Sequence, residues 1–136
     1  MSYHIPCTYK QALILKRIGF NEPCRCYYEE RARSKRKVVQ LKPDNHNIRL
    51  NCCSAPSLHH AAKWLREEFG VDLVISPRFN SSTGDCIGYF WRWSQRTDVN
   101  MYPKIHKSYE AALSDAISTV LDQFKGISNL QKEGGE

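Results

Sequence analysis

The sequence predicts an α+β fold. It should hold one antiparallel sheet, or two small sheets, with about three helices packed on one face, in the order α-β-β-(β)-α-β-β-β-α. Three observations predict this. Apolar residues at helical spacing, with clear start and stop signals, recur near residues 8–19, 57–70 and 108–126. Between these stretches lie short runs of aromatic and β-branched residues bounded by turn formers. The chain has 136 residues, 41% hydrophobic and 25% charged, which is the size and composition of one domain able to bury a core without staples.

The elements follow in order. Thr8 and Gln11 form a T-x-x-Q capping box. Ala12, Leu13, Leu15 and Ile18 then mark a first helix over about 9–18, which Gly19 stops. CRCYYEE (24–30) reads as a strand and RKVVQL (36–41) as its hairpin partner, with a turn at Pro43, Asp44 and Asn45 and a further short strand around 47–52. Ser57 caps a second helix, whose buried face carries Leu58, Ala61, Ala62, Leu65 and Phe69, and Gly70 closes it. VDLVISPRF (71–79) and CIGYFWRWSQR (86–96) read as strands on either side of the loop NSSTGD, with Pro77 marking an edge or bulge. MYPKIHK (101–107) is expected as a last strand. Ser108 caps a final helix with the stripe Tyr109, Leu113, Ala116, Ile117, Val120, Leu121 and Phe124, ending at Gly126. One domain is thus expected over 1–126, with a frayed polar tail over 127–136.

Charge is concentrated in one place. The stretch RARSKRKVVQLK (31–42) contains six Lys and Arg and no acid, and so equals the net charge of +6 on the whole chain. Such a local patch is the footprint of a phosphate-binding surface, and also the look of an exposed hairpin. No apolar run approaches the ~18 residues a membrane span needs. MSYHIPCTYK lacks a charged region followed by an apolar stretch, so no secretory signal is read and the expected compartment is the cytoplasm. Six cysteines are present, but as C-x-C (Cys24, Cys26), an adjacent pair (Cys52, Cys53) and the single Cys7 and Cys86, not as the C-x2-C pairs of zinc sites. They are expected as free thiols, mostly buried, with no metal and no cofactor.

In GYFWRWS, Tyr89, Trp91 and Trp93 point to one side of the strand and Phe90 and Arg92 to the other. With the first set in the core, Phe90 and Arg92 are left outside, together with Arg78 and Lys104. An aromatic ring beside arginines can stack a base and hold a phosphate, or anchor a protein. Catalysis is not expected. Cys53 or Cys86 could pair on paper with His59, His60 or His106, yet there is no P-loop, G-x-G-x-x-G, H-E-x-x-H or G-x-S-x-G.

The segments TYKQALILKRIGFNEPCRCYY (8–28), APSLHHAAKWLREEFG (55–70) and SYEAALSDAISTVLDQF (108–124) resemble small proteins of Bacteroidetes phages and integrated mobile elements. The resemblance implies a bacterial or phage origin and a non-secreted protein, and it supplies no active site. The order helix, three strands, helix over 56–125 resembles the double-stranded-RNA-binding domain in topology, though KSYEAALSDA places only Lys107 before the helix and Glu110 and Asp115 inside it. The last strands and helix are also similar to AP2-type DNA-binding domains. The expectation is a non-enzymatic accessory protein that binds nucleic acid through Arg31, Arg33, Lys35, Arg36 and Lys37, extended by Phe90 and Arg92. The alternative is a module that occupies a host protein or sequesters a signalling nucleotide, and so counters a host defence.

Overall fold

The computed structural model describes residues 5–31, 34–94 and 104–134, with side chains given for these except at 31, 34–36, 41 and 125–134. Helix α1 spans Tyr9–Arg17. Its capping box is formed on both sides: Gln11 N donates to Thr8 Oγ1 at 3.1 Å, and Thr8 N donates to Gln11 Oε1 at 2.8 Å. Gly19, at φ 102°, ends it in a conformation that costs a side chain strain. Strands β1 (Cys24–Arg31) and β2 (Ser34–Asp44) form the hairpin, and β3 (Cys52–Ser54) pairs with the other edge of β1, so the sheet order is β2-β1-β3. Helix α2 is Leu58–Phe69, capped by Ser57 Oγ accepting from His60 N at 3.1 Å and closed by Gly70 at φ 69°. Strands β4 (Leu73–Phe79) and β5 (Cys86–Trp93) make a separate antiparallel pair, and α3 is Tyr109–Gly134.

The α+β class is therefore as expected, realised as two small antiparallel sheets, and the element order is broadly so, with two strands described between α2 and α3 in place of three. Each sheet gives one face to the helices. α1 touches β3 and α3, and α3 in turn touches α2, β4 and β5. One buried cluster joins these layers, with Leu15, Phe20, Leu65, Ile117 and Leu121 among its fully buried members. Gln11 is buried in it and locks α1 to α3, its Nε2 donating to Ser114 O at 2.9 Å and Ser118 Oγ at 2.8 Å. No helix among the described residues is long and apolar enough to cross a membrane.

Several local expectations are corrected. β2 runs on through Pro43 and Asp44 instead of turning there, and residues His46–Ile48 form a 3-10 turn where a strand was expected. The reason is His46. It is fully buried, stacked on the Tyr27 ring at 4.1 Å, and hydrogen-bonded through Nε2–H to Cys24 O at 2.9 Å, while Arg49 Nη2 donates to its Nδ1 at 2.7 Å. The turn thereby roofs the far face of β1, and Lys16 Nζ pins it by donating to Arg49 O and Cys52 O. On α2 the buried face takes in Trp64 and leaves Phe69 43% exposed. Trp64 packs edge-on against Phe20 at 5.1 Å, a contact invisible to helical spacing alone. α3 passes through Gly126 without stopping. Of the strand expected over 101–107, residues 101–103 lie outside the described residues, and His106 makes a single bridge to Tyr89. Gly88 permits that bridge, because a Cβ there would lie 2.5 Å from the His106 carbonyl oxygen.

Candidate functional site

The hairpin is the natural starting point. Its register sets Arg36 opposite Glu29, Lys35 opposite Glu30, Lys37 opposite Tyr28 and Arg31 opposite Ser34. The run that is free of acid along the chain thus faces two acids across the ladder, where opposite charges attract. Over residues 24–44, seven Lys and Arg stand against Glu29, Glu30 and Asp44, a net of +4. Among the described residues, the outer edge of β2 has no neighbouring strand in the sheet. Arg33 lies outside the described residues, and Lys37 is exposed.

Below these pairs the ladder breaks. Between Cys26↔Val39 and Cys24↔Asp44, β1 has one residue, Arg25, while β2 has four, residues 40–43. Bulges of this kind re-aim side chains and often border functional sites. Here the break opens a cleft of about 510 Å³ lined by residues from three regions: Arg25, Cys26, Val39 and Pro43 from the hairpin, Pro6 and Pro23 from the segments flanking α1, and Pro56, Ser57 and His60 at the start of α2. Four of the six prolines in the chain border it, so its walls are short of backbone donors and conformationally stiff. The base is stitched together by Cys7 N donating to Pro56 O at 2.8 Å, Leu58 N to Ile5 O at 2.9 Å and Ala55 N to Cys26 O at 2.9 Å. His60 is held in place: its Nε2 lies 2.6 Å from Glu22 Oε1, and its ring meets Phe20 edge-on at 5.4 Å. Arg25 is exposed and Val39 is 64% exposed, so both stand at the mouth.

Burial keeps the Cys7, Cys24 and Cys53 thiols protonated. Burial, then Cys26 and Glu22, pushes the Cys24 thiol up to about 12, and burial pushes Cys53 up to about 11 against the pull of Lys16. Cys7 is raised further by burial and its cysteine neighbours. Among the described residues no three His, Cys, Asp or Glu side chains converge as metal ligands. His59 instead stacks on Tyr109 at 5.7 Å, and His106 Nε2 lies 3.2 Å from Asp115 Oδ2.

Phe90 and Arg92 sit on the second sheet, not on the hairpin's. Trp91 is buried on its helix-facing side, with Nε1 donating to Asp115 Oδ2 at 2.9 Å, and Trp93 packs against the core. Phe90 pairs with Ser76 and Arg92 with Val74, which leaves Arg92 exposed and Phe90 half-buried on the opposite face. The basic hairpin and the pair Phe90 and Arg92 therefore belong to different sheets. Sequence reasoning missed Arg25, Val39 and the proline walls. The signal that could have found them is the recurrence of Pro6, Pro23, Pro43 and Pro56, each at the end of a predicted element.

The chain was compared with protein-family models, with curated proteins and with solved structures, and none of the three gives a match.

Proposed function

We propose that this chain is a non-enzymatic accessory protein, of the phage or mobile-element type it resembles, that binds nucleic acid through its basic hairpin. The observation that carries the reading is the excess charge of +4 gathered on one hairpin whose outer strand edge is open. Cations on such an edge neutralise backbone phosphates in a largely sequence-independent way. The register refines the site. Lys37 faces no acid, and Arg25 and Lys42 fall in the irregular stretch, so these three should contribute more than Lys35 and Arg36, which face Glu30 and Glu29.

The test is binding to labelled duplex DNA, single-stranded DNA and duplex RNA at about 50 and about 200 mM salt, where phosphate contacts give a steep dependence. Replacing Arg25, Lys37 and Lys42 by Ala should flatten the salt slope by up to roughly three contacts, and replacing Lys35 and Arg36 should flatten it less. If nothing binds at about 50 mM salt, the nucleic-acid reading fails, and the cations are either a solvated edge that resists pairing with other chains or a protein-docking surface.

Protein docking is the second reading. It is favoured by the same open edge beside a stiff, proline-walled cleft, which suits an extended peptide of a host protein. A single stoichiometric partner that survives nuclease treatment would decide for it.

A further inference from the structure

Building on the nucleic-acid reading, we propose that the proline-walled cleft takes one unstacked nucleotide of a single strand, while the hairpin edge holds the flanking phosphates. The cleft's volume of about 510 Å³ falls within the ~300–1,000 Å³ of sites that enclose a small ligand. Its walls combine rigid pyrrolidine rings and Val39 with the polar Arg25, Ser57 and His60, and so suit a flat ring with polar edges that has left its stack. An anchored aromatic, His60, lines it as well, fixed by Glu22 and Phe20 before any ligand arrives. Residues 40–43 have no register partner on β1, so the cleft is bordered here by strand backbone outside the regular ladder, with Lys42 O held by Gln40 Nε2 at 3.0 Å. Charge complementarity selects the occupant. Arg25 lines the cleft, and Lys42 adjoins its wall residue Pro43, so a phosphate on either side of an inserted base would meet a cation. A duplex cannot use this site without extruding a base, at an unstacking cost.

The experiment is fluorescence anisotropy with three oligonucleotides of about 15 nucleotides: a single strand, its duplex, and the same single strand made abasic at alternate positions. The proteins are the natural chain, Val39→Trp, which fills the cleft from an exposed position, and Lys37→Ala/Lys42→Ala. The natural chain should bind the intact single strand about tenfold more tightly than either other ligand. Val39→Trp should lose that preference and keep its salt dependence. Lys37→Ala/Lys42→Ala should weaken all three ligands alike. Equal, salt-dependent binding of intact and abasic strands would overturn the cleft proposal and leave the hairpin reading standing. This comparison uses the natural chain alone, so it holds even if Val39→Trp fails to fold. No binding to any oligonucleotide at about 50 mM salt would remove both readings. Competition by an acidic peptide but not by a free nucleotide would likewise overturn the proposal, and would assign the cleft to a protein partner.

Discussion

His46 offers the most direct test of how the hairpin is held. Its ring is fully buried against Tyr27, with Nε2–H donating to Cys24 O at 2.9 Å and Nδ1 accepting from Arg49 at 2.7 Å. These partners define one neutral tautomer. A proton added at Nδ1 would point at a guanidinium. Burial first, and Arg49 second, hold its pKa below the ordinary 6.5, against the opposing pull of the Cys24 carbonyl and Asp44. Replacing His46 by Phe keeps the stack and removes both hydrogen bonds, leaving a buried carbonyl without its donor. That should cost about 2–4 kcal/mol at pH 7.5, a large share of the ~5–15 kcal/mol typical of a domain. The variant also cannot titrate. As the pH falls below 6.5 the unfolded natural chain takes up the His46 proton before the folded one does. The His46 contribution is thus fully present above 6.5 and declines below it, by up to about 1.4 kcal/mol per pH unit. Urea unfolding of both proteins at several pH values between 7.5 and 5 reads this directly. The stability gap between natural chain and variant should narrow on acidification. A gap that stays constant or widens would refute the tautomer assignment, because it would mean that the folded state accepts the proton as readily as the unfolded chain.

Three further outcomes follow from the packing. Gly88→Ala should destabilise by about 2–4 kcal/mol, from left-handed-region strain at φ 150° plus loss of the Tyr89–His106 bridge, and should raise hydrogen exchange at the Tyr89 amide; Gly70→Ala, with open space around it, should cost about 1 kcal/mol in a thermal melt. Gln11→Leu conserves bulk but strips the donor from Ser114 O and Ser118 Oγ and the acceptor from Thr8 N, so chemical denaturation should register a loss of about 2–3 kcal/mol. Alkylation at pH 8 followed by peptide mass spectrometry should label exposed Cys86 first, and Cys7, Cys24 and Cys53 only under denaturant, since burial holds those three thiols protonated.

What the sequence made legible was local. The Thr8–Gln11 box, the Ser57 cap, the Gly70 stop and the alternation in GYFWRWS each depend on neighbours within a few residues, and each is realised. What escaped depends on residues far apart. Pro43 reads as a turn along the chain, yet it sits in an edge strand, where its missing N–H is no loss. His46 reads as a polar loop residue, and only the arrival of Tyr27, Cys24 and Ser54 makes it a core member, with His46 N donating to Ser54 Oγ at 3.0 Å. Phe69 matched the helical stripe of α2, but Trp64 took the inward position because Phe20 was there to receive it.

The same limit governs the basic run. Read along the chain, residues 31–42 are uniformly cationic, and the tip of the hairpin looks like the strongest site. Read across the ladder, Lys35 and Arg36 stand in register with Glu30 and Glu29, while Asp44 stands at the other end, beside the bulge. A phosphate approaching the tip therefore meets a field already weakened by carboxylates a strand away, about 5 Å, well inside a Debye length of ~10 Å. One approaching Arg25 and Lys42 meets a single carboxylate nearby in the hairpin, that of Asp44. The positive charge is thus spread along the hairpin, from its tip, where five Lys and Arg outnumber Glu29 and Glu30, to its base, where Arg25 and Lys42 outnumber Asp44. The base is also where the ladder break has opened a cleft, and a strand drawn in by charge would there find room for a base.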